Sequence, residues 1–320
     1  MNYSGPEEYY ADGKIGEASS ATTAEEAVSD TSKGPAIRNI SDTARWVAFY
    51  RAMETERPDA LFHDPYARKL AGERGEQIVN TLRRGKSQSW SMVVRTKLLD
   101  DILLRILASE PVDVVMNLAA GLDTRPYRLA LPAALRWIEV DLPEMIDYKK
   151  GLLASETPHC QLERVTMDLA DASARRALFT RVNASARCIF IITEGLLAYL
   201  DDAQVAALAR DLHEADHGQY WITDLASPKV RQMTEKHWGR QLRAAGAPLK
   251  FAPEAAEEFF RPYGWESVEF HDFYQSSLKF NRAMPGAWMV AVWKRLMPRR
   301  TEKMMKQWRS GVVLLRRIRN

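Results

Sequence analysis

The chain has 320 residues, of which 46% are hydrophobic and 27% charged, with two cysteines and a net charge of +3. This is the balance of an ordinary globular protein, long enough to bury a sizeable core. Cys160 and Cys188 lack C-x-x-C spacing, which excludes a disulfide framework, and no apolar run reaches the roughly 18 residues of a membrane-spanning helix.

The first residues, MNYSGPEEYYADG, hold no basic n-region and no apolar h-region, so no signal peptide is expected and a reducing, cytoplasmic location is. Residues 1–36 are rich in Ser, Ala, Thr, Glu and Gly and show no apolar period. They are read as a disordered or loosely attached extension, and 37–320 as one domain. Ser41-Asp42 is an N-cap signal before ARWVAFYRAMETER, and Pro58 stops that helix. Asp64-Pro65 suits the start of a helix over 65–71.

A longer helix is predicted over 87–109. Leu99, Ile102, Leu103, Ile106 and Leu107 form an apolar stripe, and Arg95 lies on the same stripe, four residues before Leu99. A guanidinium aimed along an apolar face needs an anionic partner or a way to water. A bound ligand meets that need, and so does an ion pair with a carboxylate such as Asp123.

Residues 112–128, VDVVMNLAAGLDTRPYR, organise the remainder of the chain. An apolar run from Asp113 to Leu118 reads as a buried strand. Ala119-Ala120-Gly121 then permits a tight turn, and Asp123 or Thr124 is suited to cap a short helix. Strand, small-residue turn and helix N-terminus make the nucleotide-binding corner of a doubly wound sheet. The turn lacks G-x-G-x-x-G and the chain lacks a Walker-type G-K-[ST], so nothing here cradles a pyrophosphate. An adenosine ligand without phosphate, such as S-adenosylmethionine (SAM), places weaker demands on it.

Further strands are expected at Arg136–Asp141, Gln161–Asp168, Arg187–Thr193, Gln219–Leu225, Glu266–Phe270 and Gly311–Leu315. Helices are expected from Pro143, at 171–182, at 202–217 with Asp201 as cap, at 227–245 and at 253–260. The alternation predicts an α/β fold, a doubly wound and mainly parallel sheet with helices on both faces. Three successive strands end in acids, Asp141, Asp168 and Glu194, at the edge where open sheets bind ligands. Asp141 follows the glycine turn by about the 20 residues expected of a ribose-binding carboxylate. Residues 294–320 hold ten Lys or Arg against one Glu, so the rest of the chain is net acidic. That segment reads as a solvated helix followed by a strand with basic flanks, or as an attractor of an anionic partner.

The stretches ISDTARWVAFYRAME, RPDALFHDPYARKLAG, VVMNLAAGLDTRPYRL, EVDLPEMIDYK and ITEGLLAYL resemble the leucine carboxyl methyltransferase family, in particular its bacterial SAM-dependent O-methyltransferase branch. The resemblance covers about 38–316. It implies a class I methyltransferase (Rossmann-like) fold: a seven-stranded sheet whose last strand is antiparallel, with extra N-terminal and lid helices over about 38–109 and 227–285. By similarity, Arg95 binds the methionine carboxylate of SAM, with Arg45 reaching the same group. Gly121 lets the backbone pass close to the methionine, Asp141 holds the ribose hydroxyls, Asp168 and Leu169 contact the adenine, and Glu194 lies near the amino group. Ala119 departs from the family, which commonly has Gly there; its methyl is harmless at negative φ and otherwise narrows the turn.

Methyl transfer to an oxygen needs alignment more than a metal, and none is expected. The acceptor implied is a small molecule or peptide carrying a carboxylate or hydroxyl, with no nucleic acid. A carboxylate acceptor needs no base; for a hydroxyl, Glu194, Tyr199 and His271 are candidates, and none is singled out as catalytic. His213 and His217 sit four apart on a predicted helix, a weak pattern for a ligand pair. Trp46, Phe49, Tyr50, Trp90, Trp238 and Phe273 line an acceptor pocket or pack the core. A protein that holds SAM or its demethylated product without turnover, working through a partner surface, is the alternative reading. A dehydrogenase suffers from the missing glycines.

Overall fold

Parallel strands buried on both faces need nearly continuous apolar runs, and the middle of this chain supplies them. In the computed structural model, which describes residues 37–82, 85–215 and 217–319, they form Val114–Leu118 (β1), Arg136–Asp141 (β2), Gln161–Thr166 (β3), Ile189–Thr193 (β4) and Gly218–Ala226 (β5). Trp265–Asp272 (β6) and Ser310–Arg317 (β7) complete one seven-stranded sheet in the order β3-β2-β1-β4-β5-β7-β6. Only β7 runs against its neighbours, inserted between β5 and β6. The expectation for residues 1–36 lies outside the described residues.

The helices are Ile40–Thr55 (α1), Ala67–Thr81 (α2), Ser89–Ser109 (α3), Arg125–Arg128 (α4), Pro143–Leu152 (α5), Ala172–Asn183 (α6), Asp202–Glu214 (α7), Pro228–Ala244 (α8), Phe273–Lys279 (α9), Ala287–Leu296 (α10) and Pro298–Gln307 (α11). Side chains alternate across the strands and so divide the core in two. Val114, Met116, Ile138 and Ile191 face one way, onto Leu178 and Phe179 of α6 and Leu208 and Leu212 of α7. Val115, Trp137, Phe190 and Ile192 face the other way, onto Leu99, Ile102, Leu103 and Ile106 of α3. The predicted stripe of α3 is therefore the face that packs on the sheet.

Several boundaries differ from expectation for local reasons. The cap of α1 is Asn39, whose Oδ1 accepts from the amide of Asp42 at 3.0 Å; Asp42 instead sits in the first turn and pairs with Arg74 at 2.7 Å. The helix expected over 65–71 is interrupted where expected, at Gly72, whose φ of 58° and ψ of -174° are not helical, and a second helical stretch then runs on to Thr81. Asp201 caps α7 through a capping box with Gln204, but the helix stops at Glu214, so His217 is not on it. His213 packs edge-on to Trp265 and His217 lies 3.2 Å from the carbonyl of Arg187, which removes the ligand-pair pattern. The segment expected to be helical at 253–260 is a 3₁₀ helix over Ala256–Tyr263.

Buried polar contacts around two ion pairs tie the N-terminal helices to the rest. Arg51 donates from Nε to Asp64 at 2.8 Å and from Nη2 to the carbonyl of Leu122 at 2.6 Å, while Thr124 donates to Asp64 at 2.7 Å. Arg282 reaches back to Glu54 at 2.8 Å. The first anchor lands inside the turn after β1, so α1 and that turn are one piece.

Candidate functional site at the carboxyl edge of the sheet

The turn after β1 holds two residues in the left-handed region, Ala119 at φ 54° and Gly121 at φ 48°. Ala119 thus carries its methyl where a non-glycine residue is strained, not at the harmless negative φ. Gly121 donates its amide to Asp141 Oδ2 at 2.6 Å, and the amide of Leu142 donates to Oδ1 at 2.7 Å. A Cβ on Gly121 would meet the methyl of Ala44 in α1 at 3.5 Å, so the helix lies directly over the turn. Burial pushes the Asp141 carboxyl above its ordinary range despite the two amides.

Beside the turn lies a connected ionic network. Arg95, on the sheet-facing stripe of α3, donates from Nε to Glu194 at 3.0 Å and from Nη1 to Asp224 at 3.3 Å. Glu194 also accepts from Arg125 at 2.8 Å, and Arg125 reaches Asp123 at 2.5 Å and Asp100 at 2.7 Å. Arg128 closes the far end on Asp100 at 2.7 Å. Asn117, the polar residue in β1, donates to Asp123 at 2.8 Å. The partner expected for Arg95, Asp123, is thus taken by Arg125, two residues away, and Arg95 pairs with acids 99 and 129 residues distant.

The electrostatics follow from this geometry. Burial raises the Glu194 carboxyl, but the guanidinium groups of Arg125 and Arg95 outweigh it and hold the group below its usual range. Asp123 is held down in the same way, against its burial, by Arg125 and Lys149. Burial raises the phenol of Tyr199. The network joins three guanidinium groups, Arg95, Arg125 and Arg128, to four carboxylates, Asp100, Asp123, Glu194 and Asp224. It carries one negative charge in excess. Glu194 and Asp224 keep 16% and 18% of their side chains exposed, against 8% or less for the other five, so the excess sits at the solvent-facing end.

The structure thus brings Arg95 to Glu194 and Gly121 to Asp141. Asp168 and Leu169 follow β3 at the same edge, Asp168 exposed and capping the amide of Ala170, Leu169 half-buried. Arg45 is not joined to the network; its guanidinium lies over the ring of Tyr148, 4.1 Å from the centroid. His271 faces Glu269 at 2.9 Å on β6, in a partly exposed pair shared with Arg105. Phe49, Tyr50 and Phe273 are core residues, and Trp46 stacks edge-on against Trp238 at 5.1 Å.

Residues 44–213 match the sequence model of the leucine carboxyl methyltransferase family. The chain belongs to that family. A Streptomyces coelicolor protein provisionally named a SAM-dependent methyltransferase is 32% identical over 255 residues, covering 76% of this chain and 88% of its own. A Mycobacteroides abscessus protein with the same provisional name is 30% identical over 276 residues, covering 81% and 86%. Among solved structures, a Thermobifida fusca protein described as a methyltransferase superposes with a TM-score of 0.58 at 15% identity, over 89% of this chain and 96% of that one. A DUF574 protein from Streptomyces avermitilis does so with a TM-score of 0.53 at 14% identity, over 86% and 97%. These superpositions bear on the fold, the class I methyltransferase sheet.

In this leucine carboxyl methyltransferase family member one site-edge acid escaped the sequence reading. Asp224 lies two residues inside the end of β5, and Glu194 directly follows β4. It is Asp224 that accepts from the Gly195 amide at 2.6 Å as well as from Arg95. An acid near the end of β5 was visible; its pairing with a residue in α3 was not.

Proposed function

We propose that the protein binds SAM at the carboxyl edge of the sheet and transfers its methyl group to a carboxylate or hydroxyl oxygen of a small-molecule or peptide acceptor. The excess carboxylate at the open end of the Arg95–Glu194–Asp224 network carries this reading. An ammonium beside two partly exposed acids completes the charge balance, and a ligand carboxylate finds the guanidinium of Arg95 between the same acids.

The remaining parts fit the rest of the ligand. Asp141 keeps acceptor lone pairs beyond the two amides it already binds, which suits ribose hydroxyls. Gly121 admits backbone close to the ligand under α1, and Asp168 with Leu169 offers a polar and an apolar edge to an adenine. Arg45 is assigned a part only through α1, because its guanidinium is engaged with Tyr148. When bound, SAM supplies an electrophilic methyl on a sulfonium, open to in-line displacement. The protein's task is alignment and exclusion of water, for which well-oriented groups can supply up to roughly 7–11 kcal/mol. The helices of 38–109 and 227–285 are the proposed cap. A carboxylate acceptor asks no proton transfer of the chain.

Thermal unfolding with SAM and with S-adenosylhomocysteine tests the cofactor site. A ligand at 100 times its Kd stabilises by about 2.7 kcal/mol, and both Arg95→Ala and Asp141→Ala should abolish the shift. No shift in the unaltered chain would overturn the reading. Methyl-labelled SAM with pooled acceptors then separates the chemistries, since a methyl ester is released by mild base and a methyl ether is not.

A further inference from the structure

The segment between β6 and β7 holds much of the basic excess of the C-terminal sequence, and methyl transfer makes no use of it. Its helix α10 carries Trp288, Val292 and Leu296 at intervals of four, one face of a helix about 12 Å long over those two turns. That face is uncovered: Trp288 is 69%, Val292 45% and Leu296 70% exposed, and Met297 follows at 40%. The adjoining α11 presents Arg299, Arg300, Lys303 and Lys306 to solvent, with Arg295 beside them on α10. Lys306 pairs with Glu302 at 3.1 Å; among the described residues Arg295, Arg299, Arg300 and Lys303 form no ion pair.

We infer that α10 and α11 dock the protein on an anionic lipid bilayer, with the Trp288–Val292–Leu296 face in the acyl boundary and the basic side chains on the headgroups. Apolar anchors and unpaired cations on two consecutive helices are the pattern that binds such an interface, and a bilayer offers both chemistries within one helix diameter. The apolar face exposes on the order of 400 Å². That is about half of the ~800 Å² which one side of a standard protein interface buries, so a second copy of the chain is poorly served by it.

The surface is fixed to the site-bearing edge. Ser227, three residues beyond Asp224, donates its hydroxyl to the carbonyl of Gln307 at 2.6 Å and its amide to that of Arg309 at 3.0 Å. Docking therefore brings the carboxyl edge near the membrane. On the methyltransferase reading, acceptors are then apolar or membrane-borne. That consequence rests on the reading, whereas the docking does not.

The test is co-sedimentation of the full chain with vesicles of phosphatidylcholine, with and without phosphatidylglycerol. Binding is expected only to the anionic vesicles at about 50 mM salt and should be largely lost near 500 mM. Arg299→Gln with Arg300→Gln should lower the partition about 25-fold, at about fivefold per charge. Trp288→Ser with Leu296→Ser should lower it by about tenfold or more. All four residues are exposed, so unchanged Tm values show that the variants fold. No binding to anionic vesicles at low salt, or binding that both double variants retain, overturns the inference. So does a dimer in sedimentation velocity that the Trp288 and Leu296 variant dissolves without vesicle binding, which would give the face to a second copy. Vesicle binding without a SAM-induced thermal shift would sustain the docking and sink the cofactor reading.

Discussion

Replacing Arg95 by Met keeps most of the stem that packs on the sheet and removes the charge that holds two acids. Breaking a buried ion pair by deleting one partner costs about 3–5 kcal/mol. Here Glu194 retains Arg125 at 2.8 Å and Asp224 retains the Gly195 amide at 2.6 Å, and both acids are partly exposed. The expected loss at neutral pH is therefore smaller, about 2–3 kcal/mol. It should depend on pH. In the unaltered chain Glu194 is held below its ordinary range, so its contribution is present above the unfolded pKa and fades as pH falls through the folded one. In the variant Glu194 loses one of the two guanidinium groups that hold it down, so its folded pKa moves up toward the unfolded one and that contribution shrinks. The deficit therefore shrinks toward acid. Urea unfolding of the two proteins across about pH 3 to 6 should show the gap opening with pH. A deficit of the same size at every pH would mean that lost packing, not uncompensated charge, is responsible, and no deficit would refute the coupling altogether.

Ala119→Gly removes a left-handed strain of about 1–2 kcal/mol and adds about 0.4–1 kcal/mol of freedom to the unfolded chain. A net gain of up to about 1.6 kcal/mol is expected in thermal unfolding, and a clear loss would contradict the strain. Lys149 and Glu139 form a 2.6 Å pair with both side chains fully buried. Lys149→Met should cost about 3 kcal/mol or more, and adding Glu139→Leu should recover part of it in a double-mutant cycle; strict additivity would deny the coupling. Burial pushes the thiols of Cys160 and Cys188 up to about 11. Both should resist alkylation at pH 8 in the folded protein and react fully in urea, and rapid native labelling of either would show an open site.

What the sequence shows and what it hides separate by range. The strand Arg136–Asp141 and the Asp201 cap are legible because apolar runs and caps act within a few residues. The antiparallel last strand was anticipated through the family resemblance and is present. The partners of Arg95 were not legible, since α3 meets Glu194 and Asp224 only after the sheet has formed, and the nearer Asp123 was claimed by Arg125. His217 was misplaced because a helical period ran on past Glu214, where the chain turns into β5. Helix α9 does carry a local signal, Asp272, whose Oδ1 accepts from the amide of Gln275 at 2.9 Å, whereas α10 has no side-chain cap, and an exposed apolar face such as that of α10 imitates a core stripe in sequence.

The insertion of β7 bears on how the chain can be made. Among the described residues β6 has no sheet neighbour except β7, and the outer edge of β5 is covered by β7 alone. During synthesis both strands must wait, with unpaired amides and carbonyls, until residues 310–317 have emerged. Ribosome-bound chains halted before residue 310 should therefore recruit holdase chaperones, and release past 317 should end the dependence. The strand β7 is the bolt that closes the sheet.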